Sequence, residues 1–124
     1  MIFIDCSVPK PVAEAIKQVR SDVYWLGDCF PVSVKDEVWL EQAGNEGWLV
    51  ITRDKHVRTR PGERQKIIDH EVGCFIINQK QDPTKWEYLQ LLAKTLDDMK
   101  EKFAATQRPF GFTVDKQGVI RRAF

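Results

Sequence analysis

The chain is short of everything that would hold it in a membrane or staple it by chemistry other than packing. Its longest apolar runs, such as Trp48-Leu49-Val50-Ile51 and Cys74-Phe75-Ile76-Ile77, fall far below the roughly 20 residues needed to span a bilayer. The opening Met1-Ile2-Phe3-Ile4-Asp5 has no basic segment and meets a carboxylate at once, so no signal peptide is expected. Cysteine is scarce, 3 in 124 residues. Cys6, Cys29 and Cys74 have no CxxC spacing, and His56 and His70 lie near none of them in sequence. That argues against a disulfide framework and a zinc site. The thiols read as reduced, as in a cytoplasmic protein, with Cys6 and Cys74 expected in the core beside their apolar runs. An excess of one charge is also missing. Lys and Arg number 19 against 18 Asp and Glu, a net charge of +1, so overall charge makes no case for a nucleic-acid partner. No repeat, low-complexity stretch or linker divides the sequence, and its length suits a single domain over residues 1–124.

What is present is alternation. Ile2-Phe3-Ile4 reads as a strand, and Val12, Ala13, Ile16 and Val19 recur at helical spacing after it. A second strand over 22–26 ends at Gly27-Asp28. Ser33 and Asp36 have capping-box spacing, opening a helix that runs to Glu46 and stops at Gly47. Trp48 to Thr52 is a strand apolar on both faces, Pro61 opens a helix towards His70, and Cys74 to Ile77 is another buried strand. Thr84 and Glu87 form a capping box behind Pro83. Trp86, Leu89, Leu92, Ala93, Leu96, Met99 and Phe103 then give the following helix its apolar stripe. Phe110 to Arg121, turning at Asp115-Lys116-Gln117-Gly118, reads as a terminal hairpin. Strand–helix units in series need crossovers, so the fold class is α/β: three layers, α/β/α, around a mostly parallel sheet.

In such sheets ligands bind beyond the carboxyl ends of the strands. Asp5 ends the first strand, Asp28 the second and Asp54 the third, while Asp36 and Glu37 open the second helix. Carboxylates that meet on one rim repel unless a proton or a cation lies between them. A hard divalent ion such as Mg²⁺, which takes oxygen ligands and keeps some of its water, answers that repulsion. Asp36 and Glu37 equally suit a helix N-terminus, and Asp28 suits a Gly-Asp turn. Charge is also unevenly spread. Asp36, Glu37, Glu41 and Glu46 are followed by Arg53, Lys55, Arg58, Arg60, Arg64 and Lys66, with only Asp54 and Glu63 among them. An acidic patch thus adjoins an anion-attracting rim.

Phe3-Ile4-Asp5, Asp36-Glu37-Val38-Trp39-Leu40 and Val50-Ile51-Thr52-Arg53-Asp54-Lys55, with Phe30-Pro31 and Arg108-Pro109-Phe110, resemble PIN-type nuclease domains. The likeness is to the small PIN-like proteins grouped with VapC-type toxins. It implies a metal-dependent endoribonuclease with Mg²⁺ or Mn²⁺ as cofactor and RNA as substrate, leaving a 5′-phosphate and a 3′-hydroxyl. Asp5, Asp36 and Asp54 match the catalytic acids, with Glu37 as an alternative or additional metal ligand to Asp36. Lys55, Arg58, Arg60 and Arg64 would grip backbone phosphates, and His56 lies among them. A cognate antitoxin and a homodimer are the implied partners. One departure is that Lys55, His56, Val57 and Arg58 follow the third acid where many members carry a fourth.

Two other readings compete. A phosphate-accepting receiver domain also has an aspartate after its third strand, but it needs paired acids after the first and a lysine after a fifth parallel strand. Cys6-Ser7 and the terminal hairpin supply neither. A non-catalytic PIN-like partner-binding module is the other, with Arg121, Arg122 and an exposed Phe124 as its docking surface.

Overall fold

Apolar residues on both faces of the inner strands decide the architecture, because each strand then needs a helix layer above and below it. The computed structural model describes residues 1–54, 59–79 and 81–124. In chain order these form β1 (Ile2–Ile4), α1 (Lys10–Lys17), β2 (Val23–Trp25), α2 (Leu26–Cys29) and α3 (Asp36–Glu46). Then follow β3 (Leu49–Thr52), α4 (Pro61–Asp69), β4 (Gly73–Ile77), α5 (Lys85–Ala105), β5 (Phe110–Val114) and β6 (Ile120–Arg122). The strands make one sheet in the order β2-β1-β3-β4-β5-β6. All neighbours are parallel except β5 and β6, which form the expected hairpin.

Alternation assigns each face. Ile2, Ile4, Leu49, Ile51, Phe75 and Ile77 point to a core completed by α1 and α5. Phe3, Val50, Cys74 and Ile76 point the other way, towards Trp39, Leu40 and Ala43 of α3 and Ile67 of α4. On that second face Phe3 stacks between Trp39 and Trp48, with ring centroids 5.3 and 5.1 Å away. The α/β/α layering of the sequence reading is therefore present. Among the described residues no helix is long and apolar enough to cross a membrane.

Local details differ from the sequence reading. The Ser33–Asp36 capping box does not form: α3 starts at Asp36 behind Lys35, with no side-chain cap. Gly47 does end that helix, in the left-handed region at φ 67°. The Thr84–Glu87 box at α5 forms in full, the Thr84 Oγ1 accepting from the Glu87 N–H at 3.1 Å and Glu87 accepting from the Thr84 N–H at 2.9 Å. The buried stripe of α5 is rotated from the expected one. Tyr88, Leu91, Leu92, Thr95, Leu96 and Met99 are buried, whereas Trp86 is 65% exposed and Ala93 faces solvent. A polar threonine can join a buried face when its hydroxyl finds a partner, and Thr95 donates to the Leu91 carbonyl at 2.8 Å. Val19 lies beyond the end of α1 and is exposed.

Candidate functional site

The chain passes from β1 to β2 on one side and returns to β3 on the other. The carboxyl ends of β1 and β3 therefore flank the switch point of the sheet, where a crevice opens in α/β folds. Asp5 leaves β1 there, its N–H still donating to the Ile51 carbonyl at 3.0 Å. Strand alternation turns its side chain to the α3/α4 face, two residues beyond Phe3.

A small cavity of about 40 Å³ occupies this position, lined by Asp5, Asp36, Asp54 and Glu63 over a floor that includes Trp39, Thr52 and Cys74. That volume holds a water or an ion of similar size. Asp5 is the buried member. Its Oδ1 accepts from the Ser7 N–H at 2.9 Å and from the Ser7 hydroxyl. The Ser7 Oγ accepts in turn from the Arg53 N–H at 2.8 Å and lies 3.3 Å from Thr52 Oγ1. Thr52 Oγ1 accepts from the Asp54 N–H at 3.0 Å. These bonds tie the turn after β1 to the turn after β3 and so fix Asp5 relative to Asp54. Burial pushes the Asp5 carboxyl above the ordinary carboxylate range, and the nearby Asp54 charge adds to the push. Hydrogen bonds from Ser7 and Thr52 oppose it.

The helix acids divide. Asp36 lines the cavity and accepts from the Trp39 indole N–H at 3.2 Å. Glu37 is exposed and pairs with Lys66 on α4 at 3.1 Å. Its carboxyl is held below its usual range first by its own backbone N–H and then by Lys66. Lys66 also lies 3.7 Å from Glu63, so one cation spans the rim between α3 and α4. Asp28 is elsewhere, on α2, where it accepts from the Trp25 N–H at 2.9 Å and pairs with Lys17 at 2.8 Å. It caps the short helix α2, where the sequence suggested a Gly-Asp turn, and lies away from the crevice.

Sequence reasoning passed over three residues of this arrangement. Glu63 does not occupy the position directly after Asp54 where a fourth acid is expected, but reaches the cavity from nine positions further on, in the first turn of α4. The signal was available: a helix opening after a strand faces the carboxyl edge, the same rule that singled out Asp36. Ser7 and Thr52 are short hydroxyl residues beside the strand-end aspartates, and only the pairing of β1 with β3 brings them together. Cys6, expected in the core, is exposed, because β1 ends at Ile4 and alternation no longer governs the turn. Cys74 is buried as expected.

The donor set bears on which cation would fit. It is made of carboxylates and hydroxyls, which suit hard ions. The sulfur beneath them offers little, since burial pushes the Cys74 thiol pKa well up and Asp5 and Asp54 raise it further. Among the described residues no three His, Cys, Asp or Glu side chains are close enough to enclose an ion by themselves. A cation here would keep part of its own water, as Mg²⁺ does.

Of the expected phosphate-gripping residues, Arg60 is exposed ahead of α4, while the Arg64 guanidinium packs over the Phe124 ring at 5.0 Å. Lys55, His56 and Arg58 lie outside the described residues. Phe124 is not the exposed docking group of the competing reading. It is half-buried against Gly111, where an added Cβ would come within 2.5 Å of the ring, and the Gly111 N–H donates to its carbonyl at 3.0 Å. Arg121 is engaged by Asp115 at 2.8 Å. Residues 123 and 124 continue the pairing of β6 with β5 at Gly111, which lays the Phe124 ring against the sheet.

No curated protein and no solved structure matches this chain. The profile described as PIN like domain does match, over residues 1–79, and α5 and the hairpin lie beyond it. Its span runs from β1 through β4 and takes in Asp5, Asp36, Asp54 and Glu63, so the crevice at the switch point and the sequence likeness coincide. The chain belongs to the PIN-like domain family and carries that family's nuclease-type fold.

Proposed function

We propose that the protein is a divalent-metal-dependent endoribonuclease of the VapC type, the toxin of a toxin–antitoxin pair. The observation that carries this reading is the cavity at the β1/β3 switch point, where carboxylates from four separate segments meet around a volume of about 40 Å³. Asp5 and Asp54 would hold Mg²⁺ or Mn²⁺ directly, with Asp36 and Glu63 acting on the ion or its waters. When bound, the cation lowers the pKa of a bound water and offsets charge that grows on the phosphate.

The chain's own residues set the stage for this. Ser7 and Thr52 hold the Asp5 carboxylate in one orientation, and their hydrogen bonds favour its ionised form. Trp39 steadies Asp36 from α3. Trp39, which lines the cavity, is itself held by stacking on Phe3. Acids facing the scissile bond repel phosphate, so the substrate backbone must be gripped from the rim. Arg60, exposed ahead of α4, supplies charge there. Such contacts give affinity with little choice of sequence.

The test is a thermal-shift titration with Mg²⁺ and Mn²⁺ together with cleavage of varied single-stranded RNAs. Wild-type protein gains stability with metal and cuts RNA, whereas Asp5→Asn and Asp54→Asn lose both responses while remaining folded. A wild-type protein that neither gains stability with metal nor cuts RNA would overturn the reading. The proposed antitoxin would be expected to cover the acidic crevice, and it and a homodimer would be sought by co-purification and light scattering.

A further inference from the structure

A second, larger cavity lies on the same edge of the sheet. Its volume is about 830 Å³, within the range of sites that hold small organic ligands. Asn78 and Gln79, which follow β4, form one wall. Gln81 and Asp82 lead into α5, and the hairpin turn with Asp115 and Gln117 closes the other side. Because β4 lies beside β3, this cavity neighbours the acidic one along the carboxyl edge. Arg53, between Thr52 and Asp54, reaches across to pair with Asp82.

The polar groups here fall into two kinds. The carboxylates are already committed. Asp82 pairs with Arg53, Glu87 caps α5 through the Thr84 N–H, and Asp115 accepts from the Gln117 and Val119 N–H groups and pairs with Arg121. The carboxamides are not. Among the described residues, the side-chain amides of Asn78, Gln79, Gln81 and Gln117 make no hydrogen bond to protein. A carboxamide presents a donor and an acceptor side by side, the pattern that pairs with the edge of a nucleobase. A base splayed out of a single strand brings such an edge without its phosphate.

We propose that this cavity receives one unpaired nucleobase of the RNA next to the scissile phosphate and reads its edge through the carboxamides. The inference rests on the nuclease reading for the identity of the polymer, but base binding itself does not require cleavage. It gives the protein a base preference that the phosphate-gripping residues do not provide.

The experiment has two readouts. The first follows the side-chain amide resonances of Asn78, Gln79, Gln81 and Gln117 by NMR during titration with adenosine, guanosine, cytidine, uridine and, as control, ribose. One base is expected to shift them at concentrations at least about tenfold below the weakest, the discrimination of a single bidentate contact. Gln117→Ala and Asn78→Ala should lose that response, and Asp54→Asn should keep it. No response, or equal responses to all nucleosides and ribose, overturns the proposal. The second readout maps the bases flanking the cut in a randomised RNA, where Gln117→Ala should flatten the preference. If cleavage is absent while the selective amide shifts persist, the nuclease reading fails and the base site stands. If Asp54-dependent cleavage occurs but no nucleoside moves the amides and Gln117→Ala leaves the preference intact, the base site fails and the nuclease stands.

Discussion

Two aspartates at opposite ends of the strands, Asp22 and Asp5, are treated in opposite ways. At the amino end, Asp22 precedes β2 and is clamped by Arg20 through two bonds of 2.9 Å, with Lys100 of α5 at 3.0 Å. Arg20 also reaches Asp97 at 3.0 Å. The Arg20 guanidinium, aided by Lys100, holds the Asp22 carboxyl well below its usual range. At the carboxyl end, Asp5 is buried next to Asp54 and its carboxyl is pushed up. The residue type is the same and the displacement is reversed. An acid supplied with cations by its own fold is a structural link. An acid gathered with other acids leaves negative potential for a ligand to neutralise.

Seven substitutions sharpen this contrast, and the largest effect belongs to the carboxyl edge. Asp5→Asn or Asp54→Asn should lower metal-dependent RNA cleavage by at least about a hundredfold, the scale seen when charge stabilisation is removed from a reacting centre. Asp22→Asn should leave the rate of the folded protein unchanged, and equal losses in single-turnover assays would erase the distinction. Next come the acids that reach the cavity from helices. Asp36→Asn and Glu63→Gln should each lower the rate about tenfold, as for groups acting around a bound ion. Glu37→Gln should have a smaller effect, because that carboxylate is engaged by Lys66. The reverse order would reassign the helix ligand.

On the amino edge the readout is stability. Asp22→Asn should cost about 1 kcal/mol in urea unfolding at neutral pH. The sign follows from the depressed pKa: the unfolded chain holds the proton more tightly, so the contribution is full above the ordinary value of 3.8. It is lost as pH falls from there through the lower folded value, and the two proteins should converge in acid. A difference that persists in acid would show that packing, not charge, makes the link. Lys100→Ala is the smallest expected effect, about 0.3 kcal/mol in the same measurement, since its pair with Asp22 is largely exposed.

Much of the fold was legible because local rules and tertiary packing agreed. Gly47 ends α3 and Thr84 with Glu87 opens α5 as their spacing suggested. The apolar runs at Val50 and Phe75 are strands covered on both faces. Where the two disagreed, packing prevailed. The stripe of α5 turns to bury Tyr88 and Thr95 and leaves Trp86 in solvent, because the surface to be covered is set by β4, β5 and α1, which a helix pattern does not contain. Phe124 folds back on Gly111 for the same reason. At the site, Asp5, Asp36 and Asp54 could be singled out from their places at strand and helix ends. Glu63 was hidden by an expectation about spacing after Asp54, and Asp36 was separated from Glu37 by the cavity it lines and by Lys66, which approaches Glu37 from another helix.

The sequence by itself determined the α/β class, the order of its elements except the short α2, and the acids that close β1 and β3, since these depend on periodicity and on strand ends. The tertiary structure alone decided which acids share a cavity and which are neutralised by a base. Those outcomes depend on distances between segments far apart in the chain, and an electrostatic interaction is governed by distance and burial, not by sequence separation.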